Sequence, residues 1–244
     1  MHGLGNDYLF VDNISGKYNY DFSALSKKLS RRGFGVGSDG LVVICKHTSC
    51  DCEIKIYNSD GTKATMCGNA TRCVAFYLYQ KTNKKKCTIK SDKKFLHCKV
   101  QKVMGNSAVV EVDIGSATIS EFKNHIVVDV GNKHCLQFVN NFNFDMQKIG
   151  KHICNSFSDG INVEFIKVID IDKVRVKVFE RGSGITKACG SGACAVAYYC
   201  NKIKKLNKKI KIILDGGFLI IKINNKKIKM IGKCEYVYFG EIKI

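Results

Sequence analysis

Two cysteines stand in near-copies of one local pattern. Met66-Cys67-Gly68-Asn69-Ala70-Thr71 and Ala188-Cys189-Gly190-Ser191-Gly192-Ala193 lie 122 positions apart in a chain of 244 residues. The likeness continues downstream, where Val74-Ala75-Phe76-Tyr77 matches Val196-Ala197-Tyr198-Tyr199. Upstream, Cys52-Glu53-Ile54-Lys55-Ile56-Tyr57 matches Val174-Arg175-Val176-Lys177-Val178-Phe179. Each copy reads as an alternating strand, a Gly-rich loop, a Cys-Gly step and an apolar helix, so each half offers one thiol at a helix start. Such a start carries unpaired N–H groups and partial positive charge. A thiol there is expected to be acidified, from about 8.5 toward roughly 3.5–7.5. The Gly that follows admits a ligand close to the backbone, and the N–H groups suit a carboxylate.

Two such ends facing one cleft would surround a single carboxylate with donors and set a thiol on each side of it. Inverting a carbon next to a carboxylate needs a base on one face and an acid on the other. One thiolate takes the proton while the opposite thiol returns one from behind. The helix ends stabilise the charge that develops on the carboxylate, and matched thiols serve both directions.

The other eleven of the thirteen cysteines, Cys45, Cys73, Cys98, Cys154 and Cys200 among them, read mostly as core residues, because free Cys is among the most buried types. An odd count at irregular spacing argues against a disulfide framework. Cys50-Asp51-Cys52 and Cys67 to Cys73 lack a four-ligand zinc spacing, so no metal is expected. No basic segment followed by an apolar run opens the chain, and no stretch reaches the roughly 18 apolar residues of a membrane helix. A cytoplasmic protein with reduced thiols is the expectation. The formal charge of +19 raises nucleic-acid binding. Most of the basic residues are Lys, with Arg only at 31, 32, 72, 175 and 181. Lys, Asn and Ile are abundant, and Pro and Trp are absent. AT-rich codon drift accounts for this pattern without a polyanion, and no aromatic stripe interleaves the Lys runs.

Elements that position the thiols follow from periodicity. In the first half, Asp21 caps a predicted helix over 22–32, and Gly35 to Gly40 turns into a strand over 41–45. A strand over 53–57, the Cys67 loop and a helix over about 69–81 follow, then a meander at 87–91, 95–103 and 108–114. The second half repeats the order. It runs through a strand at 127–130, Gly131-Asn132 echoing Gly5-Asn6, and a helix from Asp145 to about 155. Strands at 161–168 and 174–179, the Cys189 loop and a helix over about 191–204 come next. Strands near 209–214, 217–223, 226–231 and 235–239 close the chain, with Asn224-Asn225 as a hairpin turn. Duplication of a single unit predicts two α+β domains facing across a cleft.

At these residues the chain resembles the diaminopimelate epimerase family over nearly its whole length. Met1-His2-Gly3-Leu4-Gly5-Asn6-Asp7 is similar to the family's opening block. Asn58-Ser59-Asp60-Gly61 through Cys67 to Cys73, Gly131-Asn132-Lys133-His134, and Asn162-Val163-Glu164-Phe165 resemble three more. Glu180-Arg181-Gly182-Ser183-Gly184 through Cys189 to Gly192 resembles the second cysteine motif, and Gly216-Gly217 to Phe239-Gly240 the ending. The resemblance implies two pseudo-symmetric α/β domains, each a curved, mostly antiparallel sheet around a central helix, with the site in the cleft between them. The domains would span 1–115 and 116–234, with a strand at 235–244 returning to the first. It implies a cofactor-independent interconversion of LL- and meso-diaminopimelate for lysine or cell-wall synthesis, in a homodimer. By motif, Cys67 and Cys189 are the two bases. Gly68, Asn69, Gly190 and Ser191 hold the reacting carboxylate, Asn6, Asn58, Asn132, Asn162, Glu180 and Arg181 bind the remaining polar groups, and His134 orients the site.

The chain departs from the family pattern in places. The Met-His-Gly block opens it, so an edge strand is expected to be missing. Lys133 replaces a Pro, Ile185 a Glu and Ala70 a Gly, and Gly40 offers no side chain where some relatives place Gln. Proline and hydroxyproline racemases share the two-thiol logic but typically carry His after the first Cys-Gly, where this chain has Asn69. A phenazine-type isomerase of the same fold would lack the cysteine pair. A basic nucleic-acid-binding protein and a decayed scaffold of this fold are the readings outside catalysis.

Overall fold

The structure is a computed structural model and describes residues 1–243. The chain divides into two compact units, one of residues 1–112 with 233–243 and one of residues 113–232.

The first unit opens with β1 (His2–Gly3) and β2 (Asn6–Asp7), a hairpin turning at Leu4 and Gly5, both at positive φ. β3 (Leu9–Asn13), helix α1 (Phe22–Ser30), β4 (Gly40–Cys45), β5 (Cys52–Asn58) and β6 (Lys63–Ala64) follow. Helix α2 (Gly68–Thr82) and the meander β7 (Lys86–Ser91), β8 (Lys94–Met104) and β9 (Ser107–Gly115), whose residues from 113 on count with the second unit, follow. Asp21 caps α1 by accepting from Ser23 and Ala24 N–H, as its carboxylate type favours. β4 is buried along almost its whole length. Leu41 and Val43 pack on Leu25 and Leu29 of α1, so Val42 and Ile44 face the other way by the period-2 alternation of a strand. α2 is buried around most of its circumference, as a helix at the centre of a unit must be, and lies against β1, β7 and β8.

The second unit holds β10 (Thr118–Phe122), β11 (His125–Asp129), β12 (Lys133–Phe138), helix α3 (Met146–Asn155) and β13 (Asn162–Asp170). β14 (Lys173–Glu180), β15 (Gly184–Thr186), helix α4 (Gly190–Lys202), β16 (Lys209–Leu214), β17 (Gly217–Asn224) and β18 (Lys227–Glu235), whose residues from 233 on count with the first unit, follow. Ile153 and Cys154 of α3 pack with Val163, Phe165 and Phe179. The almost wholly apolar α4 touches β11, β12, β13, β14, β16 and β17.

The two units share one pairing scheme. β3–β4 is parallel, β4–β5 and β5–β6 are antiparallel and β5–β7 is parallel. β12–β13, β13–β14, β14–β15 and β14–β16 repeat that order. Leu41 opposes Tyr57 and Tyr57 opposes Lys63; 122 positions on, Val163 opposes Phe179 and Phe179 opposes Ile185. Leu9 opposes Leu41 as Cys135 opposes Val163, so the first strand of each scheme is displaced by four further residues.

Two expectations need correcting. No strand forms at 236–239. β18 runs to Glu235, and the tail beyond it is tied by Tyr236 N–H to the Asn106 carbonyl at 2.7 Å. Val237, Tyr238 and Phe239 are exposed, so no buried face rewards an extended pairing. Of the expected 235–244 strand, residue 244 lies outside the described residues. The last hairpin turns one position later than expected: Asn224 pairs with Lys227, and Asn225 takes the positive φ. Among the described residues, no helix is long and apolar enough to cross a membrane.

Candidate active site

Cys67 and Cys189 are the N-cap residues of α2 and α4, with nearly the same backbone: φ −138°, ψ 110° and φ −115°, ψ 111°. Gly68 and Asn69, and Gly190 and Ser191, are therefore the first two residues of their helices, whose N–H groups have no acceptor within the helix.

In the first unit, Asn6 connects β2 to the start of α2. Its Oδ1 lies 3.5 Å from Cys67 Sγ and accepts from Asn69 Nδ2 at 3.1 Å. Its Nδ2 donates to Asp39 Oδ2 at 2.8 Å, and Arg32 bridges Asp39 and Asp7. Arg72, wholly buried, donates to Asn69 Oδ1 at 2.7 Å and to the Gly68 carbonyl, which pins the first turn of the helix. Asn58 ends β5 and donates to Thr62 Oγ1.

The second unit builds the same frame with other chemistry. Asn132 Nδ2 donates to Ser191 Oγ at 3.2 Å, and that oxygen sits 3.5 Å from Cys189 Sγ. This is the counterpart of Asn6 on Asn69. Asn162 Oδ1 accepts from Arg181 N–H, and Arg181 Nη1 donates to the Asp159 carbonyl at 2.6 Å. Thr186 donates to Glu180 Oε1. His134 Nδ1 lies 2.7 Å from Glu164 Oε1, and both side chains are fully buried. One donor atom each of His134, Glu164 and Cys189 lies within 4.8 Å of the others.

This corrects the expectation of two matched, acidified thiols. Burial first, then the carboxylates of Glu180 and Glu164, push the Cys189 thiol well above its usual value; hydrogen bonds from Ser191 and from Gly192 N–H oppose this only in part. Desolvation of a thiolate beside two carboxylates outweighs the partial charge of one helix end. Burial also raises Glu180, against the Thr186 hydrogen bond. By the pairing registers, Tyr8, Val42 and Asn58 of the first unit take the places of His134, Glu164 and Glu180. Where one half has an imidazole and two carboxyl groups, the other thus has a phenol, an apolar side chain and an amide.

Glu164 was missed as a site residue. It lies in a strand buried over its first five positions apart from Asn162, where an apolar residue is the rule, and that lone carboxylate was the available signal. A Cβ on Gly192 would sit 2.3 Å from Glu164 Oε1, so the glycine at the third position of α4 is where the carboxylate rests. Gly40 has a steric reason as well: a Cβ there would sit 2.1 Å from the Tyr57 carbonyl oxygen. The backbone at position 40 therefore leaves no room for a side chain. Among the described residues no disulfide joins the cysteines; Cys73, Cys98, Cys154 and Cys200 are buried, while Cys45 is half-buried.

The model of the diaminopimelate epimerase family matches residues 1–120 and 126–237. The chain belongs to the diaminopimelate epimerase family. It is 38% identical over 275 residues to a diaminopimelate epimerase of Methanococcus maripaludis, covering 100% of this chain and 98% of that one. It is also 38% identical over 266 residues to a diaminopimelate epimerase of Parabacteroides distasonis, with 100% and 97% covered. Among solved structures, the Bacillus anthracis phenazine biosynthesis protein of the PhzF family superposes with a TM-score of 0.72 at 12% identity, over 98% of this chain and 95% of that one. A hydroxyproline epimerase from Agrobacterium vitis follows at 0.69 and 13%, over 96% and 87%. These two likenesses show the fold, a mixed α/β architecture of the diaminopimelate epimerase type. Family membership along the full chain makes the protein an isomerase acting on a small molecule.

Proposed function

We propose that the chain interconverts LL- and meso-diaminopimelate with Cys67 and Cys189 as the two proton-transfer groups, needing no cofactor. One observation carries this reading: both cysteines occupy the N-cap position of a buried helix at the same point of one repeated pairing scheme, each with an Asn, Asn6 of β2 or Asn132 in the turn before β12, reaching the second residue of that helix. Gly68, Asn69, Gly190 and Ser191 present N–H groups to the reacting carboxylate, which stabilises charge as the carbanion forms. Cys189, held in its thiol form, is the resting acid. The partner thiolate removes the proton in that direction, and the roles exchange in the other. Asn6, Asn58, Asn132, Asn162 and Glu180 take the remaining polar groups. Arg181 turns from the Asp159 carbonyl to fork onto the distal carboxylate, and His134 orients the Cys189 side. The full-length likeness to diaminopimelate epimerases favours this substrate over proline or hydroxyproline, and favours catalysis over nucleic-acid binding. Work in lysine and cell-wall synthesis, a cytoplasmic location and a homodimer belong to the same proposal.

The test is solvent deuterium. Each isomer incubated in D2O should gain deuterium at the inverted carbon, while proline gains none. Exchange into proline with diaminopimelate inert would move the assignment to the proline racemases.

A further inference from the structure

Three donors of different kinds meet at the start of α4. His134, Glu164 and Cys189 each bring one ligand-type atom within 4.8 Å of the others, and all three residues are buried. The His134–Glu164 contact occupies one atom of each side chain. His134 Nε2 and Glu164 Oε2 have no hydrogen-bond partner, although both are buried. A desolvated carboxylate oxygen without a partner is costly, and a cation beside it recovers that cost. Glu180, raised in part by Glu164, adds a second carboxylate to the same surroundings.

We propose that His134, Glu164 and Cys189 form a site for a thiophilic divalent cation, Zn2+ or Co2+, which binds in competition with substrate and holds the enzyme inactive. Sulfur, imidazole nitrogen and carboxylate oxygen together select such an ion over Mg2+ or Ca2+, which take oxygen ligands. Binding is an acid–base event without redox change. Cys189 Sγ loses its proton to solvent, the sulfur–metal bond forms, and one proton per ion appears in the medium. The site belongs to the second unit alone, because Tyr8 and Val42 stand where His134 and Glu164 would be needed beside Cys67. Inhibition rests on the proposed role of Cys189; binding does not.

Cobalt titration of the reduced, metal-free full chain tests it. One Co2+ per chain should bind, with a thiolate-to-cobalt charge-transfer band and release of one proton. Cys189→Ser should lose the band, and His134→Gln and Glu164→Gln should weaken binding by at least roughly 10–100-fold, the loss that even an outer partner of a metal ligand carries. Cys67→Ala and Cys87→Ser should keep the band. Circular dichroism checks that each variant folds; Cys189→Ser, one atom different, decides the matter where the others do not fold. A band that survives in Cys189→Ser or disappears in Cys87→Ser, or binding far from one per chain, overturns the site. Zn2+ should inhibit wild type competitively with diaminopimelate and be reversed by a chelator; inhibition that excess substrate does not relieve overturns the competition. If Cys189→Ser epimerised normally while wild type bound one cobalt, the catalytic reading would fall and the metal site would stand.

Discussion

His134 Nδ1 and Glu164 Oε1 stand 2.7 Å apart with neither side chain exposed to solvent. The carboxylate also rests on Gly192 at the start of the Cys189 helix, so one buried pair links two strands to that helix.

Removing one member strands the other in a dry interior. Glu164→Ala should cost about 3 kcal/mol of stability, and Glu164→Gln, which keeps the shape and one acceptor, clearly less. Urea unfolding measures both. Equal losses would mean that packing rather than the polar contact matters. Gly192→Ala should cost about 1–3 kcal/mol, because the new methyl overlaps the carboxylate. In a double-mutant cycle, Glu164→Ala should relieve most of that cost, since the two sites touch. Simple additivity would deny the contact.

The two thiols should fail separately and in the same way. Cys67→Ala or Cys189→Ala should lower kcat for epimerisation by at least about 10²-fold. Each variant should still eliminate halide from a β-halo analogue, which needs one base only. The measurement is epimerisation and halide release on the same preparation. A variant that epimerises at the parent rate would remove its cysteine from the mechanism.

Placing the expected glutamine at position 40 should do harm. Gly40→Gln puts a Cβ into the Tyr57 carbonyl oxygen and against the Tyr8 ring, which requires backbone movement and should cost more than about 1 kcal/mol. Thermal unfolding of the variant checks it, and an unchanged or higher melting temperature would refute the clash.

Stability should fall with alkali, and the sign follows from the buried thiols. Burial pushes Cys135 up to about 11 and Cys200 up to about 12, and raises Cys52 and Cys189 as well. In the unfolded chain these thiols ionise near about 8.5. Below that pH the raised values contribute their full stability. Between it and about 11–12 the unfolded state alone sheds protons, and stability drops. Urea midpoints under reductant should fall from pH 8 to pH 10. In the same window Glu180→Gln, which takes a carboxylate away from Cys189, should speed alkylation of that thiol and shift its pH profile to lower pH. A profile that stayed in place would exclude Glu180 as a cause.

Much of this frame was legible in the residues themselves. The duplicated Cys-Gly step, Asp21 and Asp145 as caps and the alternation of the strands depend on local geometry, and short-range spacing records local geometry. That is why each cysteine stands at a helix start, as expected. The tail at 236–239 alternates too little and packs against too little to be decided locally. The character of Cys189 is not legible locally, for a deeper reason. A helix end acts on a thiol through its own neighbours in sequence, whereas burial and the charges of Glu164 and Glu180 arrive from strands up to 25 positions away.

The sequence by itself determined the repeat, the family and which two thiols stand at helix starts, because those properties lie in ordered blocks along the chain. Only the tertiary structure decided that the two halves are chemically unequal. Tyr8 and Val42 are unremarkable until pairing registers set them against His134 and Glu164. What a buried thiol does depends on which side chains strand pairing brings to it through space.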